Sequence, residues 1–161
     1  MIFVTVGASE PFDRLIGAVD QWAGVRGRTD VFAQIGSSDY RPKDIAVIQF
    51  VQPLEYRTLV HSASVVVAHA GMGSIIAALE AGKPIVVMPR RAHLRETRSD
   101  HQVATAHQFA QQGRIIVALD EQQLFSKLDQ VQSSFVKDKI SAEASPQLIS
   151  TIRAFIEGPK F

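Results

Sequence analysis

The chain has 161 residues, a length that fits one domain with a sizeable hydrophobic core. Its 17 basic and 16 acidic residues nearly cancel, so the charge balance demands neither nucleic acid nor an acidic membrane surface as a partner. The sequence contains no cysteine, which excludes disulfides and thiolate metal sites and fits a reducing compartment.

Short apolar runs alternate along the chain with segments of helical spacing. Strands are predicted at residues 2–6, 29–35, 45–50, 65–68, 85–88 and 114–118. Helices are predicted to begin near Ser9 and Pro11, at Pro53, at Ser74, near Asp100, after Asp120 and at Pro146. Residues 132–145 are weakly patterned. The alternation predicts βαβ units, and hence an α/β fold with a Rossmann-like, doubly wound parallel sheet of about six strands.

The clearest binding signal follows the fourth predicted strand. A turn built on Gly71 and Gly73 leads into a helix predicted over residues 74–81, with Ser74 as its cap. A helix that opens at the end of a strand presents unpaired N–H groups and a positive dipole end, which favours a phosphate. In a Rossmann-like strand order the first and fourth strands are neighbours. The turn at Gly7 is therefore predicted to face the same crevice.

Several familiar nucleotide and metal patterns are absent. The dinucleotide fingerprint fails because Ile76 stands where a third glycine is required. The P-loop pattern fails because Gly82 and Lys83 run into Pro84. No metal-ligand spacing such as H-E-x-x-H occurs, so a metal held only by protein ligands is not expected, and a nucleophile elbow is also missing.

A series of motifs in order points to one family. V-T-V-G with F-D-R-L-I opens the chain, F-A-Q-I-G follows, H-A-G-M-G-S and A-G-K-P form the central unit, and P-R-R with S-D-H-Q leads out of it. Over nearly its whole length the chain resembles the C-terminal, donor-binding half of GT-B glycosyltransferases of family 28. It is most similar to the small stand-alone members, which include the catalytic subunit of the dolichol-pathway UDP-GlcNAc transferase and subunits of bacterial exopolysaccharide glucuronosyltransferases.

The resemblance implies a UDP-sugar site made of three groups of residues. The diphosphate is expected to contact Gly7, Ser9, Gly71, Met72, Gly73 and Ser74. The nucleoside is expected to contact Phe50, Val51 and Glu80. Glu80 enters this group because many relatives carry a ribose-binding carboxylate where this chain has Ala77. The donor sugar is expected to meet Asp100, His101 and Gln102, and His69 and His101 are the candidate catalytic groups. No residue is assigned as the general base.

By the same resemblance, residues 1–161 form a single UDP-sugar-binding domain of a hexosyltransferase. The sugar is expected to pass from UDP-GlcNAc or UDP-glucuronate to a lipid-linked acceptor in polysaccharide or glycan biosynthesis, with no cofactor and no obligatory metal. A GT-B site lies between two domains, so a membrane-anchored, acceptor-binding subunit is the expected partner. Met1 leads directly into a strand, and neither a signal peptide nor a transmembrane helix is predicted. The chain is expected to be cytoplasmic, held at the inner face of the membrane by that partner.

Three other classes of function stay open at this point. The main alternative is a non-catalytic regulatory subunit that binds a sugar nucleotide. A relationship in fold to UDP-GlcNAc epimerases is the second, although those enzymes need two domains in one chain. An unrelated redox domain is the third, and the failed dinucleotide fingerprint disfavours it.

Some residues also have an ordinary structural interpretation. His69 fits a packed histidine as well as a catalytic one, and His61, His93 and His107 are expected at the surface. The basic segment Arg90–Arg98 fits a solvated loop, or contacts with phosphate, a partner subunit or lipid head groups. Core positions are expected for Trp22 and for the apolar stripe of the last helix, which comprises Leu148, Ile149, Ile152, Phe155 and Ile156. The family resemblance leaves an alternative for that helix, because relatives use it against the acceptor half.

Overall fold

The computed structural model describes residues 1–131, 140–141 and 143–158. In this part of the chain six parallel strands form one sheet, in the order β3-β2-β1-β4-β5-β6. The strands are β1 (Ile2–Thr5), β2 (Val31–Gln34), β3 (Ala46–Ile48), β4 (Val65–His69), β5 (Ile85–Met88) and β6 (Ile116–Val117). The helices are α1 (Asp13–Arg26), α2 (Pro53–Ser62), α3 (Met72–Glu80), α4 (His101–Gln111), α5 (Glu121–Gln130) and α6 (Pro146–Glu157), and a 3₁₀ turn spans Ala92–Leu94.

Helices cover both faces of the sheet, because successive strand residues point to opposite sides. Ile2 and Val4 of β1 belong to the hydrophobic cluster that contains α1 and α5, whereas Phe3 belongs to the cluster that contains α2, α3 and α4. Trp22 is buried on the α1 face, as expected. The predicted α/β fold with a doubly wound, six-stranded parallel sheet and neighbouring first and fourth strands is therefore confirmed.

The starts of two helices differ from the predictions. Helix α1 begins at Asp13 rather than near Ser9 and Pro11. Helix α3 begins at Met72, and its N-cap is Gly71 in an extended conformation without a side-chain hydrogen bond, so the prediction of Ser74 as the cap is wrong. The chain enters the helix through the backbone of Gly71 as soon as β4 ends, which places Ser74 inside the first turn.

The prediction that α6 contributes to the core is also wrong. No residue of α6 is buried, and its apolar positions, Leu148, Ile149, Ile152, Phe155 and Ile156, are all exposed. The reason is that helices α1 to α5 already cover the two faces of the sheet. Most of the weakly patterned segment 132–145 lies outside the described residues.

Candidate functional site

A cleft of about 550 Å³ opens at the carboxyl ends of β1 and β4. It lies where parallel α/β sheets usually bind ligands, beside two neighbouring strands whose connections leave in opposite directions. Seven residues singled out from the sequence line it: Gly7, Phe50, Val51, His69, Gly73, Ser74 and Glu80. The structure thus brings the expected nucleoside group and half of the expected diphosphate group together.

Buried side chains hold the loop after β1 from below. The hydroxyl of Thr5 donates to Gln34 Oε1 at 2.6 Å and accepts from the N–H of Gly7 at 3.2 Å. The amide of Gln34 donates in turn to the carbonyl of Gly7 at 2.9 Å. Gly7 has φ +78°, a conformation that favours glycine. The loop that enters the cleft is therefore fixed before any ligand binds.

The first turn of α3 forms the opposite wall. A Cβ atom added at Gly73 would have no heavy atom within 4 Å beyond its chain neighbours and its own helix backbone, so this position faces open space in the cleft. Ser74 is buried, and its hydroxyl makes no hydrogen bond within the described residues. A helix start without a side-chain cap leaves N–H groups for an anion, and the macrodipole adds partial positive charge there.

His69 lies between the two glycine loops. A Cβ at Gly71 would lie 2.1 Å from His69 Nε2, and one at Gly7 would lie 2.8 Å from His69 Cε1. Burial, helped by the positive charge of Arg90, lowers the pKa of His69 to about 4, so the imidazole is neutral at pH 7. A neutral ring in this position can donate or accept one hydrogen bond at the floor of the cleft, but it is a weak base.

Two of the cleft residues that were not identified from the sequence belong to α2. Tyr56 and Arg57 line the cleft together with Phe50 and Val51, which precede α2 in the chain. They follow Pro53, which also lines the cleft, by one helical turn, so the spacing i, i+3 and i+4 from the predicted start of that helix would have found them. Arg57 of α2 and Glu80 of α3 give the lining of the cleft one charge of each sign.

The expected sugar-binding residues do not line the cleft. Asp100 accepts a hydrogen bond from the N–H of Ala92 at 2.8 Å. Gln102 is buried and accepts one from the N–H of Arg90 at 3.2 Å. His101 is exposed, with Nδ1 3.0 Å from the hydroxyl of Ser99. Their role with the sugar stays a prediction. The role at the diphosphate also stays a prediction for three residues that are not part of the cleft lining: Ser9, Gly71 and Met72.

The basic segment after β5 is only partly a solvated loop. Arg90 is 3% exposed, and its guanidinium donates to the carbonyls of Val6 at 2.8 Å and Glu10 at 2.5 Å. Glu96 accepts from Arg14 Nε at 2.5 Å and from the N–H of Arg91 at 2.9 Å. Arg95 and Arg98 of the same segment are exposed. The three histidines that were expected at the surface are exposed as well: His61, His93 and His107. Buried ionic contacts therefore anchor the segment beside the cleft.

Among residues 1–131, 140–141 and 143–158, no group of three or more His, Asp or Glu side chains is arranged to hold a metal ion. Within the same ranges, no helix combines the length and the apolar character required to cross a bilayer.

Comparison with known proteins gives a consistent result. The model of the glycosyltransferase family 28 C-terminal domain matches residues 1–155. The human UDP-N-acetylglucosamine transferase subunit ALG13 is 28% identical over 124 residues, which cover 71% of this chain and 10% of that protein. The chain therefore spans about a tenth of the length of this curated relative.

Solved structures share the fold. An NMR structure of ALG13 has a TM-score of 0.61 at 18% identity, and the match covers 98% of this chain and 96% of that one. The glycotransferase of kitacinnamycin has a TM-score of 0.63 at 20% identity, covering 83% of this chain and 35% of that one. The UDP-GlcNAc 2-epimerase of Methanocaldococcus jannaschii, in complex with UDP-GlcNAc and UDP, has a TM-score of 0.63 at 13% identity, covering 98% and 45%. At these identities the likeness concerns the fold alone.

Proposed function

Because this chain belongs to the glycosyltransferase family 28 C-terminal domain family, we propose that it binds the UDP-sugar donor of a glycosyltransferase in the cleft between β1 and β4. One observation carries the proposal: an uncapped helix start, with Gly73 open to the cleft and Ser74 beside it, faces a preformed glycine loop. This is the arrangement that holds a diphosphate by backbone N–H groups. The printed name of the human relative, a UDP-N-acetylglucosamine transferase subunit, supports a UDP-sugar as donor.

The same cleft supplies what the leaving group needs. Transfer breaks the bond between the sugar and the diphosphate, and negative charge develops on the departing UDP. The α3 dipole and its N–H groups would stabilise that charge from fixed positions, so no reorganisation of the protein would be needed when the bond breaks. The nucleoside would lie toward Phe50 and Val51, with Glu80 in place of the carboxylate missing at Ala77.

Inversion requires a general base for the acceptor hydroxyl, and none is assigned to the cleft. In the ligand-free chain burial keeps the pKa of His69 low, at about 4, and Glu80 is the only carboxylate that lines the cleft in the described part of the chain. We propose that the base and the acceptor site belong to a membrane-anchored partner subunit, and that a lipid-linked acceptor receives the sugar at the cytoplasmic face of the membrane. Residues 1–161 would then act as one donor-binding domain of a hexosyltransferase in glycan or polysaccharide biosynthesis.

The direct test is a binding screen. We expect UDP to bind the isolated chain, and one of UDP-GlcNAc, UDP-glucuronate and UDP-glucose to bind more tightly than the other two. Isothermal titration gives the affinities, and amide NMR shifts locate the ligand. Shifts centred on residues 71–74 and 50–57 would support the site. Binding of NAD instead of UDP, or shifts remote from these residues, would contradict it.

Helix α6 is the surface that we propose for the partner. Its apolar face is exposed, with Phe155 at 87%, while Arg153 and Glu157 are its only charged residues and cancel each other. A membrane-surface helix normally carries a basic face, so this composition favours a protein groove over anionic lipid.

Replacing Phe155 by aspartate should therefore separate assembly from folding. We expect the free energy of unfolding of the chain to change by less than about 0.5 kcal/mol, because an exposed side chain is replaced. Co-purification with a co-expressed, membrane-anchored acceptor-binding subunit, and transfer by the pair, should be lost. Ser150→Asp, on the opposite side of α6, is the matched control. Equal recovery of the partner with both variants would exclude α6 as the contact.

A non-catalytic sugar-nucleotide-binding subunit is the second candidate. It is favoured by the engagement of Asp100 and Gln102 in hydrogen bonds within the chain, away from the lining of the cleft. Tight UDP binding without transfer, even when the chain is assembled with the partner, would select this alternative.

A further inference from the structure

Three buried side-chain polar atoms have no hydrogen-bond partner among the described residues: Tyr56 Oη, His69 Nδ1 and Arg90 Nε. Tyr56 and His69 line the cleft, and Arg90 is close enough to His69 to lower its pKa. Buried polar atoms are nearly always paired in folded proteins, so each exception requires an explanation. Their concentration at the cleft suggests that a ligand completes the pairing.

The surroundings of Tyr56 indicate what its unpaired hydroxyl can do. Its ring packs edge-on against Phe3, with 5.7 Å between centroids and 71° between the planes. Burial is the largest effect on the pKa of Tyr56 and raises it, whereas the side chains of Ser74 and Thr5 are near enough to its hydroxyl to lower it. Tyr56 is therefore a neutral phenol with one proton to donate.

Only one of its two polar neighbours is uncommitted. The Thr5 hydroxyl already donates to Gln34 Oε1 and accepts from the N–H of Gly7. The Ser74 hydroxyl has no partner among the described residues, and Ser74 lines the cleft at the first turn of α3. Ser74 can therefore accept from Tyr56 and still donate its own proton to a ligand oxygen.

We propose that Tyr56 is a positioning residue for the diphosphate: its hydroxyl donates to Ser74 Oγ when the nucleotide binds, so that the Ser74 proton points at a phosphate oxygen. This inference rests on the nucleotide site proposed above. A serine that accepts one hydrogen bond is a better donor of the next, because linked hydrogen bonds polarise one another.

The proposal predicts opposite effects on stability and on binding. Tyr56→Phe keeps the ring that packs on Phe3 and removes only the unpaired hydroxyl. The melting temperature of the nucleotide-free chain should therefore be unchanged or higher, since an unsatisfied buried group is removed. The affinity for UDP should fall about tenfold, the size of one lost hydrogen bond in a charged network. A tyrosine with a purely structural hydroxyl would show the reverse, a lower melting temperature and unchanged affinity.

The experiment is a cycle of four proteins: wild type, Tyr56→Phe, Ser74→Ala and the double variant. UDP affinity is measured by isothermal titration, and melting temperature by calorimetry without ligand. Because Tyr56 acts through Ser74, its replacement should change affinity less than about twofold once Ser74 is alanine. Tyr40→Phe is the matched control, since the Tyr40 hydroxyl donates to Asp20 Oδ2 at 2.9 Å away from the cleft. That variant should lose stability and keep its UDP affinity.

The possible results separate this inference from the proposed function. A wild-type chain that does not bind UDP contradicts both. If the wild type binds UDP and Tyr56→Phe binds it within twofold, the nucleotide site stands and the role of Tyr56 is wrong. Effects of Tyr56→Phe and Ser74→Ala that multiply in the double variant would also overturn it, because they would show that the two hydroxyls act separately.

Discussion

Replacing Gly73 by valine is expected to lower the affinity for UDP by about a hundredfold or more while the chain stays folded. The Cβ direction at Gly73 leads into the open cleft, so the new side chain meets the ligand and not the protein. It would displace the diphosphate from the α3 N–H groups, and two charge-assisted hydrogen bonds at about 1.5 kcal/mol each account for a hundredfold loss. Titration calorimetry with UDP measures the effect.

Stability provides the control for this experiment. Gly73 is helical, and valine is no poorer a helix former than glycine, so the free energy of unfolding should not fall. Gly17→Ala is the matched replacement in α1, where the new Cβ would make ordinary contacts with the Tyr40 ring at 3.7 Å. It should leave UDP affinity unchanged. Normal UDP binding by a folded Gly73→Val chain would show that the diphosphate lies elsewhere.

Replacing Gly71 by alanine is expected to destabilise the chain by about 1–3 kcal/mol, and His69→Ala should remove that cost. The new Cβ would lie 2.1 Å from His69 Nε2, and the ring has Gly7 on its other side, so overpacking follows. Gly71 has φ −85°, which alanine adopts freely. With His69 replaced, the same Gly71→Ala change should stabilise the chain by about 0.4–1 kcal/mol, since alanine restricts the unfolded state. Denaturant unfolding of the four proteins measures both values.

Gly7 is a control for Gly71, because a side chain at Gly7 would be strained by the backbone conformation as well as by contact with the His69 ring. Its φ of +78° penalises any side chain whatever surrounds it. Gly7→Ala should therefore stay costly in the His69→Ala background, unlike Gly71→Ala. If Gly71→Ala costs the same with and without His69, the ring does not fill the space between the loops.

The parts of the site that could be predicted from sequence are those set by strand ends. Parallel strands direct their carboxyl ends to one edge, so glycines that follow β1 and β4 had to meet, and the series of motifs in order, with H-A-G-M-G-S at its centre, indicated the family. Contacts between segments that are far apart in the chain could not be predicted, because they produce no local pattern in the sequence. The burial of Arg90 depends on carbonyls of Val6 and Glu10, more than 75 residues earlier. The sequence alone therefore left open whether the basic segment is solvated or makes contacts.

Other misses have equally specific causes. Amphipathic spacing in α6 correctly indicates a helix with one apolar face, but spacing contains no information on what covers that face. Ser74 has the composition of a cap, yet the backbone of Gly71 decides where the helix begins. Helical spacing from Pro53 is enough to place Tyr56 on the cleft side of α2, but its polar neighbour Ser74 belongs to another helix, so no spacing within α2 pairs the two residues.

The guanidinium of Arg90 has a mechanical consequence. It arises at the end of β5 and grips the loop after β1 at two carbonyls, while its own main chain is held by Gln102 of α4. One residue beside the cleft thereby holds together three separate stretches of the chain: the end of β5, the loop after β1 and the start of α4. Because these stretches share one set of hydrogen bonds, we expect this side of the cleft to open in a single cooperative step rather than loop by loop.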